Sequence, residues 1–234
     1  MDWLERTELL IGKEKLTKLS NAHVMVAGLG GVGSWCTEML ARAGIGKLTI
    51  IDGDTVHPTN RNRQLQALQS TEGMSKSELM KQRLSAINPE IELHAIDQFY
   101  TGYDFDELLQ QPFDYVVDAI DTLSPKVFLI RAALHNNHSF ISSMGAGGKL
   151  DPAQVRIADI SKSYHCNLAR MVRKRLTKLG IKEGLEVVFS PEPVDPAVIL
   201  HTEEEQNKKT TVGTISYMPA IFGMMAASRV IRSL

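Results

Sequence analysis

Cysteine is scarce in this 234-residue chain, which has only Cys36 and Cys166. They cannot form a CxxC pair or a four-cysteine metal site, so no structural zinc is expected. Long apolar runs are also missing. No uncharged run reaches the roughly 18 residues of a spanning helix, and the opening MDWLERTELLIGKEK is charged throughout, unlike the apolar core of a signal peptide. Charge of one sign is not in excess either: 26 Lys and Arg face 27 Asp and Glu, for a net −1. That excludes a coat of basic groups for nucleic acid but leaves room for a local patch. No fixed-period repeat or low-complexity tract is visible. With 43% hydrophobic and 23% charged residues, the composition is ordinary for a globular chain. The expectation is a cytoplasmic protein without membrane association, one domain over residues 1–234.

What is present is an alternation of short β-branched runs with helical patterns. Strands are expected at His23–Ala27, Lys47–Asp52, Ile91–Ile96, Tyr115–Ile120 and Phe140–Met144. Helical spacing marks Thr7–Ser20, the face Val32, Trp35, Cys36, Met39, Leu40 and Ala43, then Ser75–Ile87 and Lys126–His135. Near-continuous apolar strands joined by helices imply a parallel sheet covered on both faces. The fold class is therefore α/β, a Rossmann-like, mostly parallel sheet. Beyond residue 150, Gln154–Ile160 and Leu185–Ser190 read as strands that extend the sheet in antiparallel fashion. Ala169–Leu179 reads as a helix, Glu192–Lys209 as a polar loop and Pro219–Leu234 as a closing helix. Residues 1–150 form the nucleotide-binding half, and 151–234 the half that faces the substrate.

Between the first strand and its helix lie Gly28, Gly30, Gly31 and Gly33, in the pattern G-x-G-x-x-G. Glycine lets the backbone turn tightly and approach a phosphate, while the helix N-terminus offers unpaired N–H groups and a positive dipole end. Asp52 closes the second strand 24 residues after Gly28, where a carboxylate can bind ribose hydroxyls. A dehydrogenase would use such a loop, but the next stretch carries more cation than a held pyrophosphate requires. Asp54, Asn60, Arg61, Arg63 and Gln64 sit in IDGDTVHPTNRNRQ, and Lys76 begins the following helix. Attack on a phosphate builds charge on the transferred and leaving groups, which Arg, Lys and Mg²⁺ stabilise. Asp118 and Asp121 end the fourth strand. A carboxylate at that edge can hold Mg²⁺ together with phosphate oxygens, a role assigned to Asp121; for Asp118 a strand-end turn or helix-capping role is as good.

GLGGVG, IDGDTVHPTNRNRQ, Lys76 and DAIDT in this order resemble the ubiquitin-activating-like, ThiF-type adenylyltransferases, most strongly over residues 6 to about 150. The resemblance implies ATP and Mg²⁺ as cofactors. It implies that Asp52 contacts the ribose, that Asn60, Arg63 and Lys76 contact the phosphates and the reacting carboxylate, and that Asp121 is linked to Mg²⁺. It also implies a homodimer in which Arg6 reaches the neighbouring subunit's site. RTELLIG, GVGSW, DAIDTLSPK, Gly145–Gly148 and the closing helix resemble the branch that dehydrates threonylcarbamoyladenosine in tRNA. That branch implies adenylation of the threonylcarbamoyl carboxylate, then ring closure with loss of AMP. The alternative within the family is adenylation of the C-terminus of a ubiquitin-like or sulfur-carrier protein, with a cysteine desulfurase or sulfur-acceptor partner.

Two features favour RNA. Carrier-activating relatives commonly hold zinc on two CxxC pairs, which this chain lacks, and Cys166 reads as an incidental residue at a helix start. Ser161–Lys182 carries Lys162, Arg170, Arg173, Lys174, Arg175, Lys178 and Lys182 and no acid. Setting aside these seven cations moves the rest of the chain from −1 to −8. A solvated helix face normally mixes signs, whereas basic groups release counterions from a phosphate backbone. Arg170, Arg173, Lys174, Arg175 and Lys178 are therefore candidate tRNA contacts.

Overall fold

Aliphatic runs too short for helices but rich in Val and Ile pair at the centre of the molecule, and amphipathic segments cover them. The computed structural model describes residues 3–201 and 210–234, so the acidic residues Glu203–Glu205 lie outside the described residues. Strands β1 (His23–Ala27), β2 (Lys47–Ile51), β3 (Glu92–Ile96), β4 (Tyr115–Asp118), β5 (Phe140–Ser143), β6 (Arg156–Asp159) and β7 (Glu186–Phe189) form one sheet in the order β3-β2-β1-β4-β5-β7-β6. All neighbours are parallel except β6 and β7. The antiparallel extension is thus a single edge strand. Leu185–Ser190 instead enters parallel to β5, because a helix carries the chain back across the sheet before it. A separate antiparallel pair, β8 (Ile199–His201) and β9 (Thr210–Val212), corrects the expected polar loop Glu192–Lys209: β8 forms inside it and β9 just past its end.

Alternation along β1 decides the layers. Val24 and Val26 face one core, with α2 (Lys13–Asn21), α3 (Gly33–Arg42), α4 (Lys76–Ile87) and α8 (Tyr217–Ser233). Met25 and Ala27 face the other, with α5 (Asp104–Leu108), α6 (Leu123–His135) and α7 (Asn167–Lys178). Each core draws on residues from both sides of position 150. Among the described residues no helix is long and apolar enough to cross a membrane.

The N-terminal expectation needs correction. Thr7–Ser20 is two helices, α1 (Glu5–Ile11) and α2, divided at Gly12. Leu19 is fully buried, but Leu9 and Leu10 are 82% and 85% exposed and α1 buries no residue. Helical periodicity marks an apolar face without saying that this chain covers it.

Candidate active site

β1 lies between β2 and β4, so the chain leaves it at the point where strand order reverses, above the carboxyl ends of the parallel strands. Open α/β sheets bind ligands in that crevice. The glycine loop forms its floor. Gly28 has φ +88°, and a Cβ there would stand 2.9 Å from the Ala119 carbonyl after β4; a Cβ on Gly33 would overlap the Gly28 oxygen at 1.7 Å. Both positions therefore need glycine, one for its backbone angle and close strand packing, the other to let α3 start against the turn.

Asp52 ties this floor to β2. Its Oδ2 accepts from the Leu29 N–H at 2.6 Å and its Oδ1 from the Asp54 N–H at 2.9 Å. Burial raises its carboxyl pKa above the usual value, against the pull of Lys76. Lys76 opens α4 behind the N-cap Ser75 and is buried. Its ammonium donates to Asp54. Burial tends to raise the Asp54 pKa, but the hydrogen bond and charge of Lys76 outweigh it and hold the carboxyl below its ordinary range.

The turn after Pro58 lies along the start of α3. Trp35 Nε1 donates to the Arg63 carbonyl at 3.4 Å, and Gln66 Nε2 to the Leu29 carbonyl at 2.7 Å. The buried Asn60 accepts the His57 N–H through Oδ1 at 3.0 Å, which leaves its amide N–H₂ to donate. Arg63 uses Nη1 for Thr59 O at 3.0 Å and Asn62 Oδ1 at 2.9 Å, so the fork is aimed while Nε and Nη2 remain. Gln64 Nε2 lies 3.7 Å from where a Gly30 Cβ would be. The Gln64 and Gln66 amide oxygens are buried with no hydrogen-bond partner among the described residues. Arg61 points elsewhere and pairs with Glu72 at 3.1 Å.

The fold thus brings Gly28, Gly30, Gly31, Gly33, Asp52, Asp54, Asn60, Arg63, Gln64 and Lys76 to one crevice. Asp121 is exposed just before α6, beyond the end of β4. No group of three His, Cys, Asp or Glu among the described residues could hold a metal by itself. A single carboxylate such as Asp121 beside nucleotide phosphates still suits Mg²⁺, which takes few protein ligands and keeps phosphate oxygens and waters.

Several contributors have roles beyond those read from the sequence. Asp118 does make the strand-end turn, but it does not cap a helix or lie at the surface. It is fully buried and accepts from Lys126 Nζ and Ser142 Oγ, each at 2.5 Å, and from the Ile120 N–H at 3.0 Å. Burial drives its carboxyl pKa up, opposed by Lys126. Lys126 also donates to the Ser143 carbonyl at 2.8 Å, so one ion pair ties the ends of β4 and β5 to the first turn of α6. Lys149 is buried too, donating to the carbonyls of His165 (3.0 Å) and Glu192, with its ammonium pKa lowered by burial. A lysine inside a strand–helix unit looks like surface until the packing is known.

Arg6 and the basic helix lie outside the crevice. Arg6 is exposed on α1, and among the described residues no hydrogen bond or ion pair joins it to the crevice. On α7, Arg170, Lys174, Arg175 and Lys178 are exposed. Arg173 is not a free surface cation. It donates to the Ser163 carbonyl at 2.7 Å, to Ser163 Oγ and to the Ile160 carbonyl at 3.3 Å, bracing the turn below α7. Cys166 caps α7, its Sγ 3.5 Å from the Ala169 N–H, and is buried.

Comparison with known proteins agrees with this geometry. Residues 4–234 match the model of the ThiF family. The chain is 42% identical over 238 residues to a tRNA threonylcarbamoyladenosine dehydratase of Bacillus subtilis, covering 98% of this chain and 93% of that protein. It is 40% identical to the Haemophilus influenzae protein of the same name, covering 94% and 88%. Among solved structures it is similar to the Escherichia coli tRNA N6-threonylcarbamoyladenosine dehydratase in complex with ATP, with TM-score 0.87, 35% identity and coverage of 97% and 91%.

Proposed function

Because this chain belongs to the ThiF family, we propose that it uses ATP to dehydrate threonylcarbamoyladenosine in tRNA. The carboxylate of the threonylcarbamoyl group attacks the α-phosphate and pyrophosphate leaves. Attack from within the same group then closes a ring and expels AMP, a net loss of water. The observation that carries this reading is similarity to dehydratases along nearly the whole chain, beyond the half that holds the glycine loop.

The crevice suits the first step. The glycine loop and the start of α3 receive phosphate oxygens through backbone N–H groups. Arg63 and Lys76 meet charge that grows on the phosphates as pyrophosphate departs, and the Asn60 amide orients an incoming carboxylate. Lys76 is held ready by Asp54, and Asp52 is left with lone pairs for ribose hydroxyls. Asp121 would hold Mg²⁺, which would supply charge neutralisation for the leaving group. A second copy of the chain completes the site with Arg6; α1 presents that arginine next to the uncovered Leu9 and Leu10.

The test is mass spectrometry of tRNA nucleosides after incubation with ATP and Mg²⁺. The modified adenosine should lose the mass of one water, with AMP formed in equal amount. An ATP–pyrophosphate exchange that needs a diglycine-ended protein and ignores tRNA would sink the reading.

The exposed cations of α7 give a separate expectation. Reversing Lys174 and Arg175 to Glu removes two cations and adds two anions where RNA phosphates lie. The KM for tRNA should rise by tenfold or more, steeply at low salt, while ATP affinity stays unchanged. Equal tRNA kinetics across a salt series would reduce this helix to a solvated face. Arg173 is left out because its loss would disturb the turn it braces.

A further inference from the structure

Tyr164 and His165 stand between β6 and α7 and take no part in the ATP crevice, yet the fold holds them with unusual firmness. His165 has φ +52°, a left-handed conformation that residues with a Cβ seldom adopt. Three attachments keep it there. Lys149 donates to its carbonyl at 3.0 Å, its Nδ1 lies 2.9 Å from the Pro191 carbonyl, and the next residue, Cys166, caps α7. The buried Lys149 has no carboxylate within ion-pair distance among the described residues and donates only to backbone carbonyls. A buried cation used in this way fixes the course of a turn.

The turn carries an uncovered aromatic ring. Tyr164 is 48% exposed. It meets His165 and Phe189 at interplanar angles of 75° and 67°, so neither neighbour lies flat on it. Its place is set by the sheet. A Cβ on Gly145, just past the carboxyl end of β5, would lie 3.5 Å from Cys166 Sγ, and Phe189 ends β7. Tyr164 therefore stands at the same edge of the sheet as the glycine loop. From β1, the end of β7, on whose Phe189 the ring packs, is three strand spacings away, about 14 Å. The exposed Arg170 lies in the first turns of the basic helix that follows.

We propose that Tyr164, backed by His165, is a stacking platform for an unpaired nucleobase of the substrate tRNA, and that Lys149 is its positioning residue. The inference rests on the tRNA reading above. Sequence-tolerant stacking on an aromatic ring is the usual way a protein holds single-stranded RNA. Here the ring stands at the sheet edge that carries the crevice and directly precedes the helix whose cations suit the phosphate backbone, so a stacked base would hold the substrate RNA beside the crevice.

The experiment is steady-state dehydration of modified tRNA by the full-length protein, with ATP binding measured separately in the absence of RNA. Tyr164→Ala should raise the KM for tRNA about tenfold, within the range that loss of one stacked base produces. Tyr164→Phe and Tyr164→Trp should stay near wild type, because stacking needs the ring and not the hydroxyl. ATP affinity and thermal midpoint should be unchanged in all three. Lys149→Met should raise the same KM, with ATP affinity retained. An unchanged KM in Tyr164→Ala, with wild-type protein active on tRNA, overturns the platform and leaves the tRNA reading standing. A loss shared equally by Tyr164→Phe overturns it as well. Wild-type protein inert on modified tRNA overturns both.

Discussion

Arg63→Ala is expected to lower tRNA-dependent ATP–pyrophosphate exchange by about 10³-fold, and Lys76→Met by about 10²–10³-fold. On the proposed reading both cations face the charge that accumulates as pyrophosphate leaves, so their worth should be greater in the transition state than in the bound ground state. The effect should appear mainly in kcat, with a smaller change in KM for ATP. The fold should survive. Arg63 gives up two bonds to the neighbouring turn, whose partners Thr59 and Asn62 are exposed and take water instead, and the bond from Trp35 to its backbone carbonyl remains. Losing Lys76 leaves Asp54 partly solvated, so its carboxylate is not stranded. Arg61→Ala is the control. It sits two positions away with the same chemistry, but its partner is Glu72 at the surface, and breaking such a pair costs at most about 1 kcal/mol of stability. Exchange in Arg61→Ala should stay within about twofold of wild type, the scale of that small term. If Arg61 and Arg63 variants lose activity alike, the assignment of Arg63 to the phosphates fails.

Lys126→Met should destabilise the protein by about 3–5 kcal/mol, the usual result of removing one partner from a buried ion pair. Asp118 would be left at the sheet centre with only the Ser142 hydroxyl and the Ile120 N–H as donors. Since a protein of this kind is stable by about 5–15 kcal/mol, the variant should be marginal at 37 °C. Urea unfolding gives the measurement: the midpoint falls while the slope is unchanged. The double variant Asp118→Asn, Lys126→Met removes the stranded charge and should recover part of the loss. A single variant that unfolds within about 1 kcal/mol of wild type would show that the pair contributes little, as exposed pairs do. Because Lys126 also anchors the first turn of α6, residual exchange at low temperature should fall further than stability does, through movement of the neighbouring Asp121.

The parts of the site carried by local chemistry were legible in the sequence. Gly28, Gly33 and Asp52 are bound by backbone geometry within one strand–turn–helix–strand unit, so their spacing already implied their place. The cluster of Asn60, Arg63, Gln64 and Lys76 was readable because so many polar residues in one loop after a buried strand have few other reasons to occur together. The charge of −1, which looked featureless, separated into a basic helix and an acidic remainder by counting alone.

Other roles depended on what each group meets in three dimensions. Arg61 and Arg63 are the same residue type two positions apart, and only the turn sends one to Glu72 and the other to the crevice. Arg173 reads as one more cation of a basic helix, yet it is engaged with the carbonyls of residues 160 and 163. Nothing in the sequence marks Lys126 or Lys149, and both are buried. Leu9 and Leu10 follow a helical period that resembles a core face, and this chain leaves them uncovered. Hydrophobic period, glycine position and net charge are properties of a segment, so the sheet, the cradle and the basic helix follow from local sequence. Which polar side chain is paired, buried or free is a property of distant segments meeting. It depends on packing, because burial and partner distance set the energy of a charge far more strongly than its residue type does.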